Sequence, residues 1–154
     1  MVVTADLWET IASEAAQESS LWANALRPDG EREAVLVFSP LTDARYALGL
    51  ETIYEGYLLH YGRPRLFAPA DDDTALLLGD YLYAHGLVRV ADSGTVEAVA
   101  ELAALISLCA QLRADGLPGD GEAWGATASR LGGDAEPRPQ QLEKALEAHR
   151  RFVG

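Results

Sequence analysis

The feature that constrains the fold most is the segment from residue 74 to residue 90, which reads TALLLGDYLYAHGLVRV. Drawn as a helix, it places apolar side chains on nearly every side, whereas a surface helix carries one apolar stripe. The segment is too short for a membrane span, and Asp80, His85 and Arg89 make it too polar for one. We therefore expect a central helix that is buried in a core or in a subunit interface.

Three consecutive acidic residues, Asp71, Asp72 and Asp73, precede this segment. Negative charge is favourable near the N-terminus of a helix, and Thr74 is the expected cap. These features explain the cluster without a metal ion. The alternative is a metal-dependent enzyme that uses the three residues together with Asp80.

The chain has 154 residues and a formal net charge of −12. Nucleic acids and anionic membrane surfaces attract basic proteins, so neither is expected as a partner. The one cysteine, Cys109, excludes a disulfide within these residues, and its apolar surroundings predict a buried, unreactive thiol. The N-terminus lacks a basic segment followed by a long apolar run, so we expect a cytoplasmic protein without a signal peptide. No cofactor is expected.

Apolar periodicity and turn signals predict one all-α domain over residues 1–154, with about six helices. Ser39 and Pro40 are the expected cap and first residue of a long helix that ends near residue 60. Thr95 is the expected cap of a second very apolar helix, which we predict to be deeply buried. Residues 31–38 fit a helix or a strand, and we assign a helix because no second strand-like run exists for pairing. The remaining predicted helices cover residues 4–26, 122–131 and 139–152.

Several segments in sequence order resemble the trans-isoprenyl diphosphate synthases, also called polyprenyl synthetases. Residues 51–60, ETIYEGYLLH, resemble the helix before the first aspartate-rich motif of that family, and Gly62-Arg-Pro resembles its RRGxP segment. Residues 77–82, LLGDYL, are similar to the family's LLAGDYLL helix, and Ala110-Gln111 stands where the family has Gly-Gln. The similarity covers about residues 26–112. It implies a partial helical bundle of the isoprenoid-synthase type.

The departures from the family pattern argue against a working synthase. The family's DDxxD motif begins after the equivalent of His60, whereas this chain has Tyr61 and Gly62 there. Mg²⁺ requires oxygen ligands in near-octahedral geometry, which these two residues do not supply. No second aspartate-rich motif follows Gln111. Without metal, nothing stabilises a departing diphosphate.

The resemblance implies a small non-catalytic subunit paired with a catalytic prenyl diphosphate synthase. In the family, the two helices after the first aspartate-rich motif pack against the partner subunit, and here they correspond to residues 75–90 and 96–112. The candidate interface residues are Leu76, Leu78, Tyr81, Leu82, His85, Val99, Leu102, Ile106 and Cys109. The candidate ligand-lining or diphosphate-contacting residues are Tyr57, His60, Tyr61, Arg63 and Arg65.

Three questions stay open at this point. The first is whether the partner is a catalytic synthase or a second copy of the chain. In the second case, we expect a homodimeric helical protein that holds a small apolar ligand near Tyr57, Tyr81 and Leu82. The second is whether Arg63 and Arg65 lie in a solvated loop or contact a diphosphate in the partner's site. The third is whether Glu51 pairs with an arginine such as Arg45 or faces solvent.

Overall fold

The computed structural model describes residues 3–153, so Met1, Val2 and Gly154 of the predicted domain lie outside the described part. The described chain is all-α, as predicted, and short 3₁₀ turns occupy Asp29–Glu31, Ser39–Leu41 and Ala44–Tyr46. Its α-helices are α1 (Val3–Glu18), α2 (Ser20–Ala25), α3 (Ala47–Tyr61), α4 (Asp72–Ser93), α5 (Val96–Ala114), α6 (Asp120–Leu131) and α7 (Pro139–Val153).

The central element is α3, whereas the sequence analysis predicted that the helix over residues 74–90, now α4, is central. Every residue from 49 to 59 is buried, because α3 is surrounded by α1, α4, α7 and the last two 3₁₀ turns. In contrast, α4 buries Leu78, Leu82 and Val90 but leaves Leu77 and Val88 in solvent. Residues 74–90 are therefore not buried on all sides in the core of this chain, and their burial in a subunit interface stays a prediction.

Helices α3 and α4 lie antiparallel and approach closely at two pairs of glycines. A Cβ atom built on Gly56 would lie 2.8 Å from the carbonyl oxygen of Gly79, and one built on Gly86 would lie 3.0 Å from that of Gly49. Both glycines of each helix are seven residues apart, which returns them to the same side of the helix. Side-chain-free positions thus let the two backbones come together in the core.

The N-terminal segment forms two helices instead of the one that was predicted over residues 4–26. Ser19 interrupts it, and its hydroxyl accepts a hydrogen bond from the Leu21 amide at 3.1 Å as the cap of α2. A serine side chain competes with helical hydrogen bonds in this way. Leu7, Trp8 and Ile11 of α1 pack with residues of α3, α4 and the loop before α4 in a second apolar cluster.

The helix predicted over residues 31–38 is absent, and residues 32–38 run as an extended, irregular segment. Backbone groups that a helix would satisfy are bonded elsewhere. The Glu33 amide donates to the Arg65 carbonyl at 3.1 Å, and the Val37 amide donates to Oε2 of Glu51 at 3.1 Å. This extended segment needs no neighbouring strand, because the buried carboxylate of Glu51 accepts its backbone hydrogen bond.

The long helix predicted from Ser39 begins later, at Ala47. The 3₁₀ turn Ser39–Leu41 precedes a second one that Asp43 caps, since its Oδ1 accepts from the Arg45 amide at 3.0 Å. The Ser39 amide donates to Oε2 of Glu51 at 3.2 Å, which holds the first turn against α3 instead of extending it into a helix.

Other predicted helix ends agree more closely with the structure. The Thr95 hydroxyl caps α5 by accepting from the Ala98 amide at 3.1 Å, and α7 begins at Pro139 as predicted. The predicted cap of α4 is wrong. Asp71 takes that position, where its Oδ1 accepts from the Thr74 amide at 2.7 Å, so α4 starts at Asp72.

Candidate protein-interaction surface

Helices α4 and α5 expose large apolar side chains that the rest of the chain does not cover. The exposed fractions are 59% for Leu77, 55% for Val88 and 81% for Val96. Apolar side chains scattered singly on a surface need no explanation, but a contiguous group marks a binding surface. Whether these residues indicate a binding surface therefore depends on how they are arranged along the two helices.

The exposed residues form regular stripes along both helices. On α4, Leu77, Ala84 and Ala91 are seven residues apart, and on α5, Val96, Ala103 and Ala110 have the same spacing. Positions seven apart lie on one side of a helix, and apolar residues at this spacing favour packing against another helix. We call the α4–α5 face the exposed residues Leu77, Ala84, Val88, Ala91, Val96, Ala100, Ala103, Ser107 and Ala110.

The two stripes border the same side of the molecule. Glu101 of α5 points toward α6, where it accepts from Arg130 at 2.9 Å, and the Val96 stripe lies roughly opposite Glu101 around the helix. That stripe therefore faces away from α6, and α4 packs beside the same helix. On α4, His85 and Arg89 meet α1 through Glu14, so the Leu77 stripe is left facing solvent.

The surroundings of the α4–α5 face are acidic. Seven exposed carboxylates lie on α4, on α5 and at their ends, and none is bound to lysine or arginine in the described chain; they are Asp71, Asp72, Asp73, Asp80, Asp92, Glu97 and Asp115. The two arginines of the same helices are engaged elsewhere. Arg89 binds Glu14 at 2.9 Å, and Arg113 binds Asp120 at 2.7 Å.

The predicted interface residues fall into three groups. Leu78, Leu82, Leu102 and Cys109 are almost fully buried within the chain, so they present no surface to a partner. Tyr81, His85, Val99 and Ile106 are half-buried, and Leu76 is exposed. Burial, with a smaller contribution from the carboxylate of Asp120, raises the pKa of the Cys109 thiol to about 12, in agreement with the predicted unreactive cysteine.

Tyr81 and His85 belong to the contact between α4 and α1 and not to the α4–α5 face. The ring of Tyr81 stacks on His85, and Nε2 of His85 lies 3.0 Å from Oε1 of Glu14. The hydrogen bond from His85 is the largest of the contributions that lower the pKa of Glu14, and Arg89 adds to it. These residues fasten α1 to the rest of the bundle.

The residues predicted to line a ligand or to contact a diphosphate are dispersed. Tyr57 and Arg65 are buried, so the expectation that Arg65 lies in a solvated loop is wrong. His60 bonds Asp80 at 3.1 Å and stacks on Tyr83. The half-buried ring of Tyr61 packs on Tyr57. The guanidinium of Arg63 is paired with Glu33 and covers the Phe152 ring.

Arg65 forms a buried ionic cluster with Glu51 and Glu55, one turn apart on α3. Its Nη1 lies 2.5 Å from Oε1 of Glu51, and its Nε lies 2.9 Å from Oε1 of Glu55. Burial disfavours the charge of Arg65, but the two carboxylates outweigh burial and raise its pKa. Glu51 therefore pairs with Arg65 and not with Arg45, and the cluster holds both neighbouring loops on α3.

A second polar cluster joins α3, α5, α6 and α7 beside a cleft of about 330 Å³. Asp120 accepts hydrogen bonds from Tyr57 and Arg113, and its Oδ2 lies 3.3 Å from Nε2 of His149, whose Nδ1 is 2.7 Å from the Tyr54 hydroxyl. Burial acts to raise the pKa of Asp120, but the bonds from His149, Tyr57 and Arg113 outweigh it and hold that pKa well below its usual range. Both ring nitrogens of His149 are thus engaged within the protein.

Comparison of the chain with known protein families, with curated proteins and with solved structures gave no match. Within residues 7–153, whose side chains the structure describes, no group of three or more His, Cys, Asp or Glu residues is placed to hold a metal ion. In the same part of the chain, none of the helices combines the length and apolar content that a bilayer crossing requires.

Several residues of the α4–α5 face were not singled out from the sequence. Leu77, Val88 and Val96 are the large apolar residues among them, whereas the predicted set includes buried neighbours such as Leu78 and Leu82. The signal that would have found them is the seven-residue spacing of the two stripes. It is weak because alanine fills most of those positions.

Proposed function

We propose that the chain is a non-catalytic subunit that binds a catalytic trans-polyprenyl diphosphate synthase through the α4–α5 face. The observation that carries this proposal is the apolar surface that two neighbouring helices leave uncovered along their length. Contiguous apolar surface of this kind marks protein–protein contacts, and stripes at seven-residue spacing fit helices of a partner. The class of partner comes from the sequence resemblance of residues 26–112.

The proposal gives the chain a structural task in place of a chemical one. The residues at the positions of the family's first aspartate-rich motif are Tyr61 and Gly62. Gly62 packs against the end of α7, and its amide donates to the Leu58 carbonyl of α3 at 2.8 Å. Tyr61 packs on Tyr57 and His60. These contacts assign Gly62 to the packing between α3 and α7, and Tyr61 to ring packing along α3. The catalytic groups then belong to the partner.

The test is co-expression of the chain with a full-length trans-polyprenyl diphosphate synthase from the same genome, followed by light scattering and an assay of product chain length. We expect a complex of defined mass, with an activity or product length that the synthase alone does not show. The chain alone is expected to be inactive. A synthase that elutes separately with unchanged products would refute the proposal.

A pair of variants locates the contact. Leu77→Glu combined with Val88→Glu places two charges on the α4–α5 face, and we expect the complex to dissociate. Leu21→Glu combined with Leu117→Glu is the matched control, because these leucines are exposed to a similar extent, 57% and 55%, but lie on α2 and in the loop before α6. Equal loss of the complex with both pairs would place the contact elsewhere.

A further inference from the structure

The carboxylates around the α4–α5 face determine which kind of surface can cover it. We infer that they prevent two copies of the chain from pairing through this face, and that they select a partner whose apolar helices are bordered by lysine and arginine. This inference rests on the proposed function for the identity of the binding surface. It goes further by stating the chemistry of the partner and by excluding self-association through the same face.

The first step concerns position. Asp73 and Asp80 lie on the exposed side of α4, within one turn of Leu77 along the helix. Asp92 and Glu97 lie at the other end of the face, where α4 gives way to α5. The apolar stripes are therefore bordered by negative charge at both ends.

The second step concerns compensation. The carboxylate of Asp80, which is 70% exposed, meets only the imidazole of His60, and Gln111 donates to Asp115 at 2.9 Å. The arginines of α4 and α5, Arg89 and Arg113, are already bound to Glu14 and Asp120. Two further arginines line a cleft with Glu97, and they are paired with Asp43 at 3.8 Å (Arg45) and with Glu101 at 2.9 Å (Arg130). The described chain therefore offers this border no free guanidinium or ammonium group of its own.

The third step concerns symmetry. A two-fold dimer places the same patch of both copies in contact, so carboxylates would face carboxylates across the interface. Like charges brought together at an interface disfavour association, and this is a common way of rejecting wrong partners. A partner with basic residues around its apolar helices instead brings positive charges to these carboxylates. Long-range electrostatic attraction also increases the rate at which such a partner associates.

The experiment on the chain alone is sedimentation equilibrium at about 10 mM and about 1 M NaCl, where the Debye length falls from about 30 Å to about 3 Å. We expect a monomer at low salt. Asp73→Asn combined with Asp80→Asn is expected to self-associate about tenfold more tightly than the parent chain. Glu143→Gln combined with Glu147→Gln removes the same charge from the exposed side of α7 and is expected to stay monomeric. A parent chain that dimerises equally at both salt concentrations, or an aspartate variant that stays monomeric, would overturn the inference.

The experiment with the synthase of the same genome tests the chemistry of the partner. We expect the affinity of the complex to fall about tenfold on replacing Asp73 and Asp80 by lysine, and high salt to weaken the parent complex. A complex that forms but is unaffected by salt and by both substitutions would overturn the inference that basic residues border the partner's apolar helices. The proposed function would remain intact. A synthase that binds at neither salt concentration refutes the proposed function, and the self-association measurements then decide the exclusion of the homodimer.

Discussion

Arg65 is a buried cation whose every polar contact is made within the protein. Besides Glu51 and Glu55, its guanidinium reaches the Val35 carbonyl at 2.8 Å and covers the ring of Trp8 at 4.6 Å. Removal of one member of a buried ionic cluster leaves uncompensated charge in the core, whereas an exposed ion pair contributes little. The stability of the loops around α3 therefore depends on this single side chain.

The corresponding prediction compares two arginines two positions apart. Arg65→Met is expected to lower the free energy of unfolding by about 3–5 kcal/mol, because two carboxylates lose their partner in the core. Arg63→Met, which affects an exposed pair, is the control and is expected to cost less than about 1 kcal/mol. Urea denaturation followed by circular dichroism measures both. Equal effects would show that the buried cluster contributes no more than a surface contact.

Asp120 predicts how stability depends on pH. Its pKa is lowered in the folded protein, so its contribution is fully present above the pKa of the unfolded chain, about 3.9, and is lost as the pH falls below that value. We expect the free energy of unfolding to decrease below about pH 4, and Asp120→Asn to flatten that decrease. Glu122→Gln, an exposed carboxylate of the same helical turn, serves as the control. An unchanged slope for Asp120→Asn in urea titrations at several pH values would contradict this assignment.

At the scale of helices, the tight contact between α3 and α4 is the feature on which the bundle depends. Gly56 meets the Gly79 backbone, and Gly49 meets Gly86 and Val90, so these positions leave no space for a side chain. Backbone atoms cannot move aside as a flexible side chain can. Added volume at these positions must therefore separate the helices.

Gly56→Ala tests this contact. We expect it to lower the free energy of unfolding by about 1–3 kcal/mol, the usual cost of overpacking a core. Gly30→Ala is the matched control, because a Cβ atom there meets nothing within 4 Å and the substitution restricts only the unfolded chain. If Gly56→Ala is as stable as Gly30→Ala in thermal unfolding, the close approach of the two helices is incorrect.

The sequence predicted where several helices begin and end better than it predicted which of their residues are buried. Caps and breakers such as Thr95 and Pro139 act locally, so the ends they mark agree with the structure. The extended segment before Ser39 could not be predicted, since its backbone amides bond to Glu51, a residue of another element. Apolar content alone did not distinguish α3 from α4, because core packing and an uncovered surface require the same side chains.

At the scale of the whole molecule, the chain combines a rigid interior with an exposed apolar side. Two buried polar clusters and the glycine contact fix the helices, whereas the α4–α5 face leaves apolar side chains exposed to solvent. The candidate surface was predicted in part, since the sequence indicated α4 and α5 but not which side of each helix. The assignment of sides required the positions of α1, α3 and α6, which no local pattern contains.

The most direct test of the central claim is site-specific photo-crosslinking in the co-expressed complex with the synthase. A photoreactive amino acid is placed at Val88 or Val96 on the α4–α5 face, and at Leu21 as the control, all of which are more than half exposed. We expect Val88 and Val96 to crosslink to the synthase and Leu21 to remain uncrosslinked. Crosslinks from Leu21 alone, or none from Val88 and Val96 in a complex of confirmed mass, would contradict the account.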